Sequence, residues 1–555
     1  MMGKKIVIIG GVAGGATAAA RLRRLDESSE IVMFERGEYI SFANCGLPYY
    51  IGGAIEQRDK LLVQTVEGMS KRFHLDIRNQ TEVKSIDKDA KTVYAKNRLT
   101  GIEYEESYDV LILSPGAKPI VPPFPGVNEK NVFTLRNIPD TDRIKTYVDS
   151  HQPNHATVVG GGFIGLEMAE NLVERGLNVT VIEKGNQVMA PIDPEMAAYV
   201  HEELRAKGIE LILEDGIQSI EDEGKSVVLE SQHRIATSMI ILSIGVQPEN
   251  TLAIDADLEV GKRGGIIVND FMQTSNPSIY AVGDAVQVKD YITGSPTMVP
   301  LAWPANRQGR IAANHIYGKQ EGYNGTLGTS IVKVFEYTVA TTGLNEKRLK
   351  MLDIPYSIVH IHPGSHAGYY PGAAPMAMKV LFQKEDGKLL GAQIVAKDGA
   401  DKRIDVIATA IKGGLTVEDL TDLELAYAPP YSSAKDPVNM LGYVASNMMN
   451  EDIETLQWHE VQDAVELGDF VVDVRNPKEL EQGYINGAKN IPLDELRDRL
   501  NELPKDQNII VYCQAGLRGY LATRILTHNG FTARNLDGGW KTYSITKQLT
   551  APALS

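Results

Sequence analysis

At 555 residues the chain is too long for one core, and a prior of about one domain per ~150 residues gives three or four. A hydrophobic fraction of 43% and a charged fraction of 23% exclude collagenous, low-complexity and broadly disordered chains. Lys+Arg 56 against Asp+Glu 72 leaves a net −16, which argues against nucleic acid as the main partner and leaves room only for a local basic patch that binds a small anion.

The first element is the β-branched run Lys4-Lys5-Ile6-Val7-Ile8-Ile9, read as a parallel strand buried on both faces. The lysines, the apolar run and the small residues to Ala20 superficially resemble a leader. Five glycines between Gly3 and Gly15, then Arg21, Arg23 and Arg24, favour a strand, a glycine turn and a helix instead. No apolar stretch reaches the ~18 residues that span a bilayer, so a cytoplasmic protein without membrane association is expected. The turn Gly10-Gly11-Val12-Ala13-Gly14-Gly15 is a G-x-G-x-x-G variant with Gly10, Val12 and Gly15 in the three glycine places. A helix follows to Leu25, then the strand Ile31-Val32-Met33-Phe34 ending in Glu35 and Arg36. An acid some twenty residues past the last glycine is where a ribose hydroxyl is held, and the helix N-terminus takes the pyrophosphate.

The unit then recurs. Ala156-Thr157-Val158-Val159 leads to Gly160-Gly161-Gly162-Phe163-Ile164-Gly165, a helix to Arg175, and a strand ending in Glu183 and Lys184. Here Gly160, Gly162 and Gly165 fill all three places. One glycine-rich turn is compatible with any α/β protein, but two complete strand–turn–helix–strand–acid units point to two dinucleotides. Two further strands end in glycine turns: 109–113 at Ser114-Pro115-Gly116, and 278–282 at Gly283-Asp284. Gly245 is expected to join Gly160, Gly162, Phe163, Ile164, Gly165, Glu183 and Lys184 as a contact of the second nucleotide.

On these residues the chain, over roughly 1–447, resembles the two-dinucleotide flavoprotein disulfide reductases. The resemblance implies an α/β fold with two Rossmann-like domains and an α+β dimerisation domain. FAD would occupy a discontinuous domain over 1–149 and 246–325, with Asp284 on its ribityl chain. A nicotinamide nucleotide would occupy 150–245, and 326–447 would form a homodimer interface. Glu183 favours NADH, because a carboxylate accepts from a 2′-hydroxyl and repels a 2′-phosphate, while Lys184 beside it leaves NADPH open.

The chain has two cysteines, Cys45 and Cys513, so neither a disulfide framework nor a clustered thiolate metal site is expected. Most flavin disulfide reductases carry two cysteines in one C-x4-C turn. Here the position five after Cys45 is Tyr50, and Cys45 must cycle with an external thiol or through a sulfenic acid. The run Ser41-Phe42-Ala43-Asn44-Cys45-Gly46-Leu47-Pro48-Tyr49-Tyr50 resembles the single-cysteine branch, which holds NADH oxidases, NADH peroxidases and coenzyme A-disulfide reductases. In the oxygen-handling members a His commonly stands in the first glycine turn. Here that place is Ala13, and no His precedes His74.

Thr17, Arg21 and Arg24 fall at i, i+4 and i+7, on one face of the first helix. A solvated basic face explains that spacing equally well. By the resemblance, however, the matching helix holds the phosphates of coenzyme A, with Lys71, Arg72, Asn306 and Arg307 as further contacts. Ser41, Phe42 and Asn44 would line the same substrate. Gly368-Tyr369-Tyr370-Pro371-Gly372 and the stretch from Ala426 to Asp436 extend the likeness. They imply that Tyr369 and Tyr427 of one subunit stand over the flavin and Cys45 of the other, with Lys435 facing coenzyme A. A tyrosine hydroxyl there can donate to a leaving thiolate.

After a polar break at 448–454, a separate α/β pattern runs over 455–548. It contains the strand Phe470-Val471-Val472-Asp473, the strand Asn508-Ile509-Ile510-Val511-Tyr512 ending at Cys513, then Gln514-Ala515-Gly516-Leu517-Arg518 and a helix. This order resembles a rhodanese domain, whose active loop is C-x4-R after a strand. Loop N–H groups and the helix N-terminus favour a thiolate that carries sulfane sulfur as a persulfide. The combined expectation is a coenzyme A-disulfide reductase fused to a rhodanese, acting on coenzyme A disulfide, coenzyme A persulfide or polysulfide. Two rival readings stay open: an NADH oxidase cycling Cys45 through sulfenate, and a sulfur carrier serving a protein partner.

Overall fold

A computed structural model describes residues 3–550. The described residues divide into two compact units, one of residues 3–186 and 208–328, the other of residues 187–207 and 329–550.

The first unit holds two parallel five-stranded sheets. In the first, the order is Ile279–Ala281, Val110–Leu113, Lys5–Ile9, Glu30–Phe34 and Asp76–Arg78. Ile6, Val7 and Ile8 are fully buried, as a strand covered on both faces requires. In the second, the order is Glu210–Leu213, Asn178–Glu183, His155–Val159, Met239–Leu242 and Val132–Phe133. Its registers repeat the first: Ile9 stands opposite Phe34, and Val159 opposite Ile182. Residues 132–133 pair with Met239–Leu242, so the second sheet takes a strand from within 1–149.

The helix Gly14–Leu25 crosses the helix Ala302–Ile316 at a glycine contact. A Cβ on Gly309 would stand 2.4 Å from the carbonyl oxygen of Gly14, so only glycine lets the two backbones touch.

In the second unit an antiparallel sheet runs Ser330–Val334, Tyr337–Gly343, Leu389–Ala396, Met376–Phe382 and Ser357–Ile361. The helix Pro194–Ala206 lies in this unit, although its sequence falls inside the 150–245 segment. Polar contacts explain the placement. Asp193 and Glu195 both reach Lys379 of the sheet, and Glu203 accepts from the Glu336 N–H at 3.2 Å.

The C-terminal parallel sheet is ordered Thr455–Leu456, Ala533–Leu536, Ile509–Tyr512, Phe470–Asp473 and Lys489–Asn490. The preceding helix Pro437–Met449 is closed at its start by a capping box of Asp436 and Asn439. Residues 448 and 449 are therefore helical, and the break before the last sheet begins at Asn450. No helix among the described residues is long and apolar enough to cross a membrane.

Candidate active site

Both glycine turns take one geometry. Gly10 and Gly160 have φ of +101° and +108°, and a Cβ on Gly15 or Gly165 would stand 1.9 Å from the Gly10 or Gly160 carbonyl oxygen. The two acids are held alike. Glu35 accepts from Gly11 N–H at 2.9 Å and Gly37 N–H at 2.8 Å; Glu183 accepts from Gly161 N–H at 2.8 Å and Gly185 N–H at 2.7 Å. The helices starting at Gly14 and Phe163 have neither a side-chain cap nor an acid in the first turn, so their N–H ends are open to an anion. A Cβ at Gly162 would meet nothing within 4 Å, which leaves space beside that turn. Val12 and Ala13 sit in the first turn, Ala13 with φ of 35°. Phe163 and Ile164 open the second helix. Lys184 pairs with Glu230 at 2.7 Å, Arg36 with Glu249 at 3.4 Å, and Gly245 accepts from Ile120 N–H at 2.9 Å.

Cys45 is exposed in a 3-10 turn, Asn44–Gly46, that runs directly into the helix Leu47–Gly52. Its thiol pKa is pushed up, first by partial burial of the sulfur and then by the carboxylates of Glu167 and Asp284. Glu167 projects from the helix Phe163–Glu174, and its carboxyl accepts from Tyr49 hydroxyl at 3.3 Å. Burial raises Glu167 to about 7, and Tyr49, mainly through its own burial, to about 12. Arg136 is a hub beside the cysteine. It donates to Asp284 at 3.2 Å, and the Asn44 amide bridges its carbonyl and its guanidinium at 2.8 and 3.1 Å. A Cβ on Gly116 would stand 2.9 Å from that guanidinium, while Ser114 donates its place to the turn below: its backbone N–H bonds Ile9 at 2.8 Å and its carbonyl faces Gly10. Pro115 joins the two. Ser41, with φ of 46°, accepts from Val63 N–H at 3.0 Å, and Phe42 bridges to Leu62.

Sequence reasoning missed Arg136, Glu167 and Tyr49. The signal for Glu167 was a carboxylate among the apolar and small residues Phe163-Ile164-Gly165-Leu166-Glu167-Met168-Ala169 that open the helix. The Glu167 charge gives a directional test. Above about pH 7 the ionised carboxylate opposes a Cys45 thiolate, so Glu167→Gln should speed iodoacetamide labelling of Cys45 at pH 8 by about three-fold or more. Below pH 6, where Glu167 is already neutral, variant and wild type should converge; equal rates at pH 8 would remove Glu167 from the site.

In the same unit, Thr17, Arg21, Arg24, Asn306 and Arg307 line one surface cavity of about 250 Å³, joined by Trp303 and Arg310. Thr17 hydroxyl donates to Asn306 at 2.5 Å, Arg21 donates to Asn314 at 2.8 Å, and Arg307 pairs with Glu321 at 2.6 Å. The Arg21 pKa is lowered by burial and then by the charges of Arg310 and Arg24, with Glu321 opposing them. Arg23 is different: it is buried and bonds the carbonyls of Phe73, His74, Asp26 and Glu27. Lys71 and Arg72, exposed in the last turn of the helix Val66–Phe73, lie outside the cavity lining, as do Ser41, Phe42, Asn44 and Lys435.

In the second unit Tyr369 and Tyr427 are brought together from distant segments, hydroxyl to hydroxyl at 2.5 Å, and both are exposed. Their contact raises the Tyr369 pKa. Lys435 lies over the Tyr443 ring at 5.6 Å. Cys513 is buried at the end of its strand, and its sulfur accepts from Gly516 N–H at 3.1 Å. Arg518 forms a two-pronged pair with Glu479 at 2.7 and 2.6 Å.

Residues 4–309 match the family described as pyridine nucleotide-disulphide oxidoreductase, 329–437 its dimerisation domain, and 457–546 the rhodanese-like domain. The chain belongs to the pyridine nucleotide-disulphide oxidoreductases. A coenzyme A disulfide reductase of Staphylococcus aureus (strain JH9) is 40% identical over 442 residues, covering 80% of this chain and 99% of the relative. A crystal structure of reduced Bacillus anthracis CoADR-RHD superposes with TM-score 0.97 at 61% identity, over 98% of this chain and 99% of that one. An NAD-dependent persulfide reductase from A. fulgidus superposes with TM-score 0.92 at 36% identity, over 97% and 100%.

Membership in this oxidoreductase family implies FAD and NAD(P)H. The chain fits both: each glycine turn ends at an uncapped helix start, and each acid is fixed by two backbone N–H groups with lone pairs left for ribose hydroxyls. The fold is the expected α/β assembly of two Rossmann-like sheets, a dimerisation domain and a rhodanese domain.

Proposed function

We propose that this enzyme uses NADH to reduce coenzyme A disulfide and coenzyme A persulfide or polysulfide through Cys45, and that Cys513 handles sulfane sulfur. The observation that carries the reading is the cavity of Thr17, Arg21, Arg24, Asn306 and Arg307, which gathers cations and polar groups for a polyphosphate in the unit that holds Cys45. Trp303, two-thirds exposed at its rim, offers a face for an adenine ring. Domain limits of 1–149 with 246–325, 150–245, 326–447 and 455–548 belong to the same reading, with the strand Val132–Phe133 lent to the second sheet.

When bound, FAD would supply hydride acceptance from NAD(P)H and delivery of the electron pair to a disulfide formed at Cys45. Gly10, Gly14 and Gly15 would accommodate its diphosphate, Glu35 its ribose, and Asp284 its ribityl chain. Gly160, Gly162, Gly165 and Glu183 would hold the nicotinamide nucleotide. The tie of Lys184 to Glu230 leaves Glu183 to decide, and supports NADH over NADPH. Cys45 thiolate attacks the substrate S–S bond; a Cys45–S–S–CoA bond forms as the substrate bond breaks, and coenzyme A thiol or hydrosulfide leaves with a proton. Arg136 orients Asn44 and Asp284 beside the sulfur. Tyr369 and Tyr427 of the partner subunit would donate to the leaving thiolate, which makes the homodimer the working unit. Two unpaired thiols suit a reducing cytoplasm.

The oxidase alternative is weakened by Ala13 in the first turn, where no imidazole is available to handle peroxide. The test is anaerobic NADH oxidation by wild type and Cys513→Ser, with coenzyme A disulfide and coenzyme A persulfide offered separately. Wild type should turn over both, and the variant should keep full rate with the disulfide. Turnover only when oxygen is admitted would establish the oxidase.

A further inference from the structure

The rhodanese-like segment is joined to the antiparallel sheet by a buried charged contact. Ser357–Ile361 is the edge strand of that sheet, and an edge strand leaves outward N–H groups without a ladder partner. Asp537 of the C-terminal segment meets that need. Its carboxylate accepts the His360 backbone N–H at 3.1 and 3.0 Å and the His360 ring Nδ1 at 2.7 Å, with Gln457 donating at 3.2 Å. His360 Nε2 reaches Glu195 at 3.2 Å, and Glu195 bonds the Lys379 ammonium at 2.5 Å. Asp537, His360, Glu195 and Lys379 are all buried. A second tie lies beside the first, where His362 Nε2 and Thr542 hydroxyl are 2.8 Å apart.

The chain from Asp537 leads directly to the sulfur loop. Trp540 N–H donates to the carbonyl of Cys513 at 2.8 Å, and Lys541 N–H donates to the carbonyl of Gln514 at 3.0 Å. A Cβ on Gly539 would stand 2.5 Å from the Cys513 carbonyl oxygen and 3.1 Å from the nitrogens of Ala515 and Gly516. The turn 538–541 is thus seated on the loop whose Gly516 N–H points at the Cys513 sulfur. A buried carboxylate facing three donors has one low-energy position, and what it anchors inherits that position.

We infer that Asp537 and His360 are positioning residues for sulfur transfer: the buried pair docks the turn 537–541 on the edge of the dimerisation sheet and so fixes the Cys513 loop. Burial alone would lower the His360 pKa, but Asp537 and then Glu195 outweigh it and raise the ring to about 9, against an opposing field from Lys379. His360 is therefore a cation at neutral pH. His362, the other imidazole beside it, is held neutral by burial and by the charges of Lys541 and His360.

The inference rests on the reading of Cys513 as a sulfur carrier, and the assay separates the two. In a Cys45→Ser background the only remaining thiol is Cys513. Its thiolate attacks a sulfane sulfur of inorganic polysulfide; the Sγ–S bond forms, the polysulfide S–S bond breaks, and the shortened polysulfide anion leaves. Cyanide then takes that sulfur as thiocyanate and returns the thiolate. Asp537→Asn keeps the shape but turns two of its hydrogens toward donors, and should lower kcat for thiocyanate at least ten-fold with the KM for polysulfide within two-fold. His360→Gln, which keeps the backbone N–H and loses the charge, should fall between. With Cys45 restored, both variants should reduce coenzyme A disulfide within two-fold of wild type. An unchanged kcat in Asp537→Asn overturns the inference, as does a parallel loss of disulfide reduction, which would signal general damage. A thiocyanate rate with the parent Cys45→Ser protein no higher than that of cyanide and polysulfide without protein would instead defeat the sulfur-carrier reading, and the inference with it.

Discussion

Cys45→Ser is expected to lose NADH-dependent reduction of coenzyme A disulfide by about 10³-fold or more, the scale seen when a reacting nucleophile is removed. The one other cysteine, Cys513, is buried at the end of its own strand. A serine hydroxyl does not ionise at neutral pH and forms no disulfide, so neither attack on the substrate nor the covalent intermediate survives. Binding should persist, since Cys45 stands outside both glycine turns and outside the basic cavity. The flavin absorbance of purified variant and wild type should therefore match, while turnover with coenzyme A disulfide disappears. Retained turnover would place the reducing centre elsewhere.

The second large effect concerns Lys379, whose side chain is fully buried in the strand Met376–Phe382. Its ammonium lies 2.9 Å from Asp193 and 2.5 Å from Glu195, and also pairs with Glu346. The carboxylate oxygens of those three acids all lie within 4.8 Å of one another, close enough for a metal ion, and the ammonium fills that role. Burial alone would lower the Lys379 pKa; the three acids overcome it and raise it, while Glu195 is driven down by Lys379 and His360. Lys379→Met removes the one cation shared by all three carboxylates, leaving Glu195 with only His360 at 3.2 Å and Glu346 with only the exposed Lys350 at 3.2 Å. Breaking such a site costs about 3–5 kcal/mol. For a unit of this size that is about 10 °C in Tm, or protonation of one acid with a partial rescue below pH 5. The sign follows from the acids: where their folded pKa is depressed, the stability they contribute is present above the unfolded value and lost as pH falls. The variant removes that loss. Thermal unfolding at pH 5 and pH 7.5 measures it, and a Tm within 1 °C of wild type at pH 7.5 would show that the ammonium is dispensable.

What the sequence reveals about this protein is its local chemistry. The β-branched runs before Gly10 and Gly160, the glycine spacing, and the acids at 35 and 183 set out strand, turn, helix and an acid held by two backbone N–H groups within some thirty residues each. The helix periodicity of Thr17, Arg21 and Arg24 was legible too, although Arg23, one position from Arg24, proves to be a buried clamp on four carbonyls. Long-range pairing left no such trace. Nothing near Arg136 announces Asp284, and nothing near Asp193 announces Lys379 in a strand 186 positions later. Only a lysine within the apolar run Met376-Ala377-Met378-Lys379-Val380-Leu381-Phe382 hinted at a buried partner. The helix Pro194–Ala206 follows its buried acids into the second unit for the same reason: a charge taken out of water goes where its counter-charge is.

The glycine contact between the helices Gly14–Leu25 and Ala302–Ile316 has a consequence for selectivity. Backbones that touch cannot slide, so the guanidiniums of Arg21, Arg24, Arg307 and Arg310 start from Cα positions set by two rigid rods instead of by loops. A polyanion that matches their spacing binds with little loss of conformational freedom. One of equal charge but different reach must either leave a guanidinium unmatched or force the rods apart. Under the proposed coenzyme A reading such a surface would measure distance between phosphates more than count them, and ATP, with its charges packed at one end, should compete poorly with a ligand whose phosphates are spread across two parts of the molecule.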